Sequence, residues 1–249
     1  RIIFNEKKII MKVSVIMITY GHEKFLTQAI EGVLMQEVNF DIELIVADDC
    51  SPDKTKEVVE KIINTHPKSH LIRYTKHSVN KGMQPNFIWA YQQCKGEYIA
   101  LCEGDDYWID NKKLQKQVDF LEAESQYVMC FHKVDVLKTN GEIVDDFLTK
   151  VPEQFQLRET LLAKGNYIHA PSVMFRNNLI TIPDIFHQSP IGDCLLYALL
   201  TKYGNIGYIQ ESMAVYRHNV GVLSKELDNS LKNALTMNLI LLKIVDNEK

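Results

Sequence analysis

The chain of 249 residues contains no run of about 18 apolar residues, so no membrane-crossing helix is expected in it. It also contains no CxxC pair. Cys50, Cys94, Cys102, Cys130 and Cys194 stand at unrelated spacings. That excludes a zinc site built on paired cysteines, and it reads as reduced thiols in a cytosolic protein rather than a disulfide framework. A basic surplus is absent as well. Twenty-eight Lys and Arg face 32 Asp and Glu, the net charge is −4 and the pI is about 6.1. Nucleic acid is therefore not expected as the main partner, since nothing is left over to neutralise a phosphate backbone. Internal repeats, low-complexity segments and linker-like stretches are missing too, which excludes a solenoid and points to one domain. Residues 1–10 lack the continuous apolar core of a signal peptide and read as an N-terminal extension ahead of Met11.

What is present is an ordinary 46% of hydrophobic residues, enough for a sizeable core. Residues 13–18, 42–47, 71–74 and 98–102 are short β-branched or apolar runs that read as strands. Between them lie segments of helical periodicity. Phe25, Leu26, Ala29, Ile30, Val33 and Leu34 share one face; a second helix spans about 54–65; a third opens at Pro85 and stops at Gly96. This alternation predicts an α/β fold with a mostly parallel central sheet and helices on both faces. The second half is less regular. Helices are expected over 112–123 and 193–203, strands over 128–137, 172–176 and 213–217, and a turn at Asn140-Gly141. A leucine-rich helix over 225–245 is expected to pack through Leu231, Leu235, Met237, Leu239, Leu242 and Val245.

Polar clusters follow the first, second and fourth strands, at the end of the sheet where α/β proteins bind ligands. The most informative is Cys102-Glu103-Gly104-Asp105-Asp106-Tyr107-Trp108, three carboxylates within four residues at the end of an apolar strand. Such acids repel one another unless a cation sits between them. Their hard oxygens suit Mg²⁺ or Mn²⁺, ions that commonly bridge protein to phosphate. A bland reading, an acidic loop with Trp108 packed beneath, stands beside it. Asp48-Asp49-Cys50-Ser51-Pro52-Asp53 follows the second strand; Ser51 or Asp53 suits a helix cap, which does not need the two preceding acids. Asn80-Lys81-Gly82 is a turn by composition.

Taken in order, these motifs resemble the family 2 glycosyltransferases of the GT-A fold. The order is a strand with Thr19-Tyr20, a strand ending in the Asp48–Asp53 cluster, Asn80-Lys81-Gly82, and a strand ending in the acids. The similarity runs from about residue 12 to 224 and is strongest in the first half. The Cys102–Trp108 segment, followed by Lys113-Leu114-Gln115-Lys116-Gln117, is similar to bacterial enzymes of polysaccharide and lipopolysaccharide assembly. The resemblance implies a nucleotide-sugar-binding half over 11–110, an acceptor-binding half over 111–224 and an appended helix over 225–249.

It also implies roles. Thr19 and Tyr20 would touch the donor, with Tyr20 stacking on its base. Asp49 would accept a hydrogen bond from the base, uracil N3, and Lys81 would supply positive charge. Glu103, where the family has Asp, would approach the ribose, and Asp105 would hold the metal with Asp106 behind it. Asp193, at a helix start where Asp is also an ordinary cap, would be the general base. In Tyr216-Arg217-His218-Asn219 the family's His falls on Asn219 by strict alignment; His218, one position earlier, is taken as the metal ligand, and the choice between them stays open because one step along a strand flips the side chain. His169 and the other histidines read as structural.

The function implied is an inverting, Mn²⁺- or Mg²⁺-assisted transfer of sugar from a nucleotide-diphosphate donor, a UDP-sugar, to a hydroxyl of a glycan or lipid-linked acceptor in cell-surface polysaccharide synthesis. A cytoplasmic protein is expected, with peripheral contact at the inner face of the membrane if the acceptor is lipid-linked. Two alternatives are a sugar nucleotidyltransferase, against which stands the lack of a Gly-rich basic loop after the first strand, and an inactive nucleotide-sugar-binding protein of the same fold.

Overall fold

The computed structural model describes residues 11–220 and 230–246. In chain order the elements are β1 (Val13–Thr19), α1 (Leu26–Leu34), β2 (Ile42–Asp48), α2 (Thr55–Thr65), β3 (Ile72–Lys76), α3 (Met83–Gln93), β4 (Tyr98–Leu101) and β5 (Tyr107–Trp108). They continue as α4 (Lys113–Ala123), β6 (Tyr127–Leu137), β7 (Ile143–Asp145), α5 (Arg158–Lys164), β8 (Met174–Arg176), α6 (Gly192–Leu200), β9 (Asn205–Arg217) and α7 (Ser230–Asp246). Short 3₁₀ turns occur at Ser69–Leu71, Ala170–Ser172 and Asp184–Gln188.

The strands form one sheet in the order β3-β2-β1-β4-β8-β6-β9-β5, with β7 beside β6. β3, β2, β1 and β4 are mutually parallel, as helical crossovers require. Beyond β4 the sheet is mixed: β8 runs antiparallel to β4 and β6, whereas β9 is parallel to β6. β1 and β2 are almost wholly buried because each faces helices on both sides. Alternate residues divide between two cores. Ile16, Ile45, Ile99 and Leu101 pack with Ala90 of α3, with α6 and with α7. Val15, Met17, Leu44, Val46 and Ala100 pack with α1, α2 and α4.

Several boundaries differ from the sequence reading. The expected strand over 213–217 is the end of a 13-residue strand, β9, whose pairing with β6 shifts register near His132 and Lys133. Polar residues at Gln210 and Glu211 had hidden its first part. β5 was not expected; two residues are too few for a period-two pattern. Ser172 lies in a 3₁₀ turn, so β8 begins at Met174. α3 begins at Met83, two residues before Pro85, whose missing N–H falls where no intrahelical partner exists anyway.

The packed stripe of α7 is also corrected. Met237, Ile240 and Leu241 are buried and Ile244 packs beside them, while Leu235, Leu239 and Leu242 are exposed. The buried set follows the helical period, and the leucines counted from sequence lie on the other side. The side chains of Leu231 and Val245, and residues 225–229, lie outside the described residues.

Candidate functional site

Register brings the motifs together. Thr19 pairs with Asp48, so β1 and β2 end level. β4 stops opposite Ile16, but the chain stays beside β1: Cys102 N–H donates to Ile16 O and Gly104 N–H to Ile18 O, both at 3.0 Å. Glu103, Asp105 and Asp106 are therefore delivered next to Thr19. Gly104 is needed there, since a Cβ would lie 2.7 Å from Thr19 Oγ1 and 2.8 Å from His22 Nδ1. The loops after β1 and β2 are tied by Gly21 N–H to Ser51 Oγ (3.0 Å) and Glu23 N–H to Asp53 Oδ2 (3.0 Å).

These loops open onto a cavity of about 500 Å³. Its walls include Thr19, Tyr20, His22 and Asp49, then Gly82 to Gln84 at the start of α3. Glu103 and Asp105, Asn166, Ile168, His169 and Ala170, Gly192 and Asp193 of α6, and Tyr216 of β9 complete it. None of the described residues lining it is Lys or Arg. The volume is that of an ordinary small-molecule site.

Glu103 and Asp105 of this wall, and Asp106 next to them in the chain, each place a carboxylate oxygen within 4.8 Å of the others. Burial, then the charge of Asp105 and Asp193, push Glu103 up to about 8. Burial, then Asp105, hold Asp106 well above the usual carboxylate range, although its Oδ1 accepts the Arg217 N–H at 2.8 Å. Its buried Oδ2 has no partner among the described residues. A set of hard oxygens that destabilise one another, one of them orphaned, fits a divalent cation. Asp105 and Asp106 would hold it, with Glu103 adjoining.

Arg217 fixes this loop from behind. Its guanidinium lies between the rings of Phe25 (5.0 Å) and Tyr107 (4.5 Å), donates to the Asp105 carbonyl and bonds Gln28. The adjacent Tyr216 hydroxyl has its pKa pushed up by burial, then by the charge of Asp106, Glu103, Asp105 and Asp193. Asp193 sits half-buried in the first turn of α6. Its carboxylate accepts the Cys194 N–H and the Asn166 amide, each at 2.8 Å. Burial raises its pKa in spite of those bonds.

Thr19, Tyr20, Asp49, Glu103, Asp105 and Asp193 all line the cavity. Tyr20 is 40% exposed at its mouth, and Thr19 Oγ1 is buried with no partner among the described residues. Both oxygens of buried Asp49 accept backbone N–H groups, from Lys81 (2.7 Å) and Gly82 (2.8 Å). Lys81 thus contributes its backbone, and Lys81 does not line the cavity wall. His218 is placed apart from the acids. Its N–H caps the β6–β9 ladder at Leu137 O and its ring packs on Phe147 at 5.5 Å, outside the acid cluster. Asn219 turns the chain with φ +62°. The sequence reading missed Arg217, His22, Asn166, Tyr216 and His169. Arg217 and Tyr216 belong to the Tyr216-Arg217-His218-Asn219 motif; Asn166 and His169 lie in irregular chain that carries no pattern.

The family model "Glycosyl transferase family 2" matches residues 14–182. The chain belongs to this family. Among its relatives, the uncharacterized protein Rv1520 of Mycobacterium tuberculosis is 34% identical over 206 residues, 83% of this chain and 58% of that protein. The Staphylococcus aureus poly(ribitol-phosphate) beta-N-acetylglucosaminyltransferase TarS is 28% identical over 179 residues, 71% of this chain and 29% of its own. The chain thus spans about six-tenths of the length of the first relatives it matches. Among solved structures, TarS residues 1–349 with UDP-GlcNAc superpose with a TM-score of 0.69 at 22% identity, covering 94% of this chain and 67% of that one. The Pyrobaculum calidifontis mannosyltransferase PcManGT, solved with GDP-Man and Mn²⁺, gives 0.60 at 16% identity over 82% and 56%. These likenesses establish the GT-A fold.

Proposed function

We propose that this family 2 domain transfers a sugar from a uridine-diphosphate donor to a hydroxyl of a glycan or lipid-linked acceptor, with inversion, in cell-surface polysaccharide synthesis. The observation that carries the proposal is one cavity lined both by Glu103 and Asp105 of the acid cluster after β4 and by Asp193 at the start of α6. One wall suits a donor diphosphate with its cation, the other an attacking hydroxyl.

The lack of Lys or Arg in the wall supports a cation at the diphosphate, since no described side chain there offsets phosphate charge. When bound, Mn²⁺ or Mg²⁺ would offset the charge that develops on the leaving diphosphate. Tyr20 offers an aromatic face at the mouth, and Asp49 holds the Lys81-Gly82 backbone beside it. Asp193, oriented by Asn166 and the Cys194 N–H, accepts the proton of the attacking hydroxyl; its raised pKa makes it the stronger base. Solved relatives of the same fold bind UDP-GlcNAc and GDP-Man. A cytoplasmic site, peripheral to the membrane when the acceptor is lipid-linked, belongs to the same proposal.

The test is calorimetric titration of UDP- and GDP-sugars with and without Mn²⁺, on the intact protein and on Asp105→Ala. Binding of a UDP-sugar that needs both Mn²⁺ and Asp105 is expected. Binding that ignores both would overturn the cation reading, and pyrophosphate release from UTP and a sugar phosphate would favour the nucleotidyltransferase.

A further inference from the structure

A second cavity of about 270 Å³ adjoins the first. His169 and Thr149 line both, so they form the shared wall. Its floor is aromatic. The ring of Phe131 stacks on Tyr208 at 4.7 Å and meets Tyr167 edge-on at 6.1 Å. Its rim is polar, with Asp146, Thr149, Lys133 and Lys150. Asp146 organises the wall: Oδ2 takes His169 Nε2 at 3.0 Å and the Thr149 hydroxyl at 2.5 Å, and Oδ1 takes the Leu148 N–H at 2.8 Å. On its other side the His169 ring packs on Tyr216 at 4.6 Å and lies within electrostatic reach of Asp193.

We propose that this second cavity is a subsite for one sugar ring of the acceptor, and that His169, fixed by Asp146, is the positioning residue at its junction with the transfer site. This rests on the glycosyl-transfer reading above. The chemistry is that of a pyranose: aromatic faces accept its C–H surface, while a carboxylate, a hydroxyl and an ammonium around the edge meet its hydroxyls. The volume lies just below the usual range of drug-sized sites, which suits one ring rather than a chain. The shared wall sets His169 between a ring seated there and the cavity lined by Asp193, so the neighbouring sugar unit would present its hydroxyl to the base.

The test is saturation-transfer NMR with the methyl glycosides of glucose, galactose, mannose and N-acetylglucosamine, in the presence of UDP and Mn²⁺. Intact protein is compared with Val151→Trp, which fills the cavity from its half-buried wall, and with Asp146→Asn, which keeps the volume but weakens the hold on His169. At least one glycoside is expected to bind the intact protein and to weaken about tenfold or more in both variants, while UDP affinity stays within about twofold. Should Val151→Trp fail to fold, Asp146→Asn carries the comparison. Equal glycoside binding in the variants, or none at all by a protein that binds UDP, would overturn the subsite and leave the donor reading standing. Stronger binding of glycerol phosphate than of every glycoside would replace the neutral sugar by a polyol phosphate. A protein that binds no UDP but loses glycoside binding in Val151→Trp would refute the donor reading and retain the subsite.

Discussion

Gly104 shows how closely single residues are held at this site. A methyl group there would press on Thr19 and His22 and move the acid loop off β1. Gly104→Ala is expected to weaken Mn²⁺-dependent UDP binding by about tenfold or more, with a smaller effect on thermal unfolding; unchanged titrations would refute the close packing. Tyr197 poses the opposite case. Its hydroxyl is fully buried in α6, has no partner among the described residues and feels Asp193 and Glu103. An unsatisfied buried hydroxyl is destabilising by about 1–3 kcal/mol. Tyr197→Phe should therefore raise the unfolding midpoint, as denaturant titration would show. A lower midpoint would mean that the hydroxyl is bonded in solution.

At the scale of elements, α4 explains the Lys113–Gln117 motif. Lys113 is completely buried, 4.0 Å over the Trp108 ring, and bonds Gln117 Oε1 at 2.6 Å. Gln117 donates to Ser172 O (2.8 Å) and Trp108 to Pro171 O (2.9 Å). The motif thus clamps the 3₁₀ turn that carries His169 to the site. Burial pulls the Lys113 pKa down to about 7 from 10.5. Between those values the unfolded chain binds more protons, so stability rises with pH across that window and is least below it. Lys113→Met is expected to flatten the rise, read from urea unfolding at about pH 6 and about pH 10; an unaltered slope would assign it to other groups. In α7, Ile240→Ala is expected to be destabilising by about 2–5 kcal/mol. Leu239→Ser, on the exposed face, should change stability by less than about 0.5 kcal/mol. Reversed effects in thermal melts would contradict the packing found for this helix.

Across the whole molecule, one core joins the two halves. Ile16, Ile45 and Leu101 from the first half pack in the same cluster as Phe175, Leu195 and Ile206 from the second. Residues 11–110 and 111–224 are therefore expected to unfold together. Far- and near-ultraviolet dichroism should give coincident thermal transitions; two separated transitions would show that the halves are independent. The first half was legible because parallel strands buried on both faces write continuous apolar runs, and because each run stops at a cluster of acids, Thr or Asn. The second half was not. β9 is half-exposed and interrupted by Gln210 and Glu211, and β5 is too short to print a pattern. The 166–173 segment, which supplies Asn166 and His169, is held by bonds from the distant side chains of Gln117 in α4 and Trp108 in β5.

Sequence by itself determined the family, the strand ends that carry chemistry, and Glu103, Asp105 and Asp193 as candidates, since each follows an apolar run or opens a helix and such local signals survive without neighbours. Tertiary structure alone decided that Arg217 rather than His218 meets the acid loop, that Asp49 holds the Lys81-Gly82 backbone, and that Asp146 and His169 divide two cavities. Those outcomes depend on strand register and on pairs far apart in the chain, such as Asp106 with Arg217. No local pattern encodes a distance between residues that only the packed sheet brings within hydrogen-bonding reach.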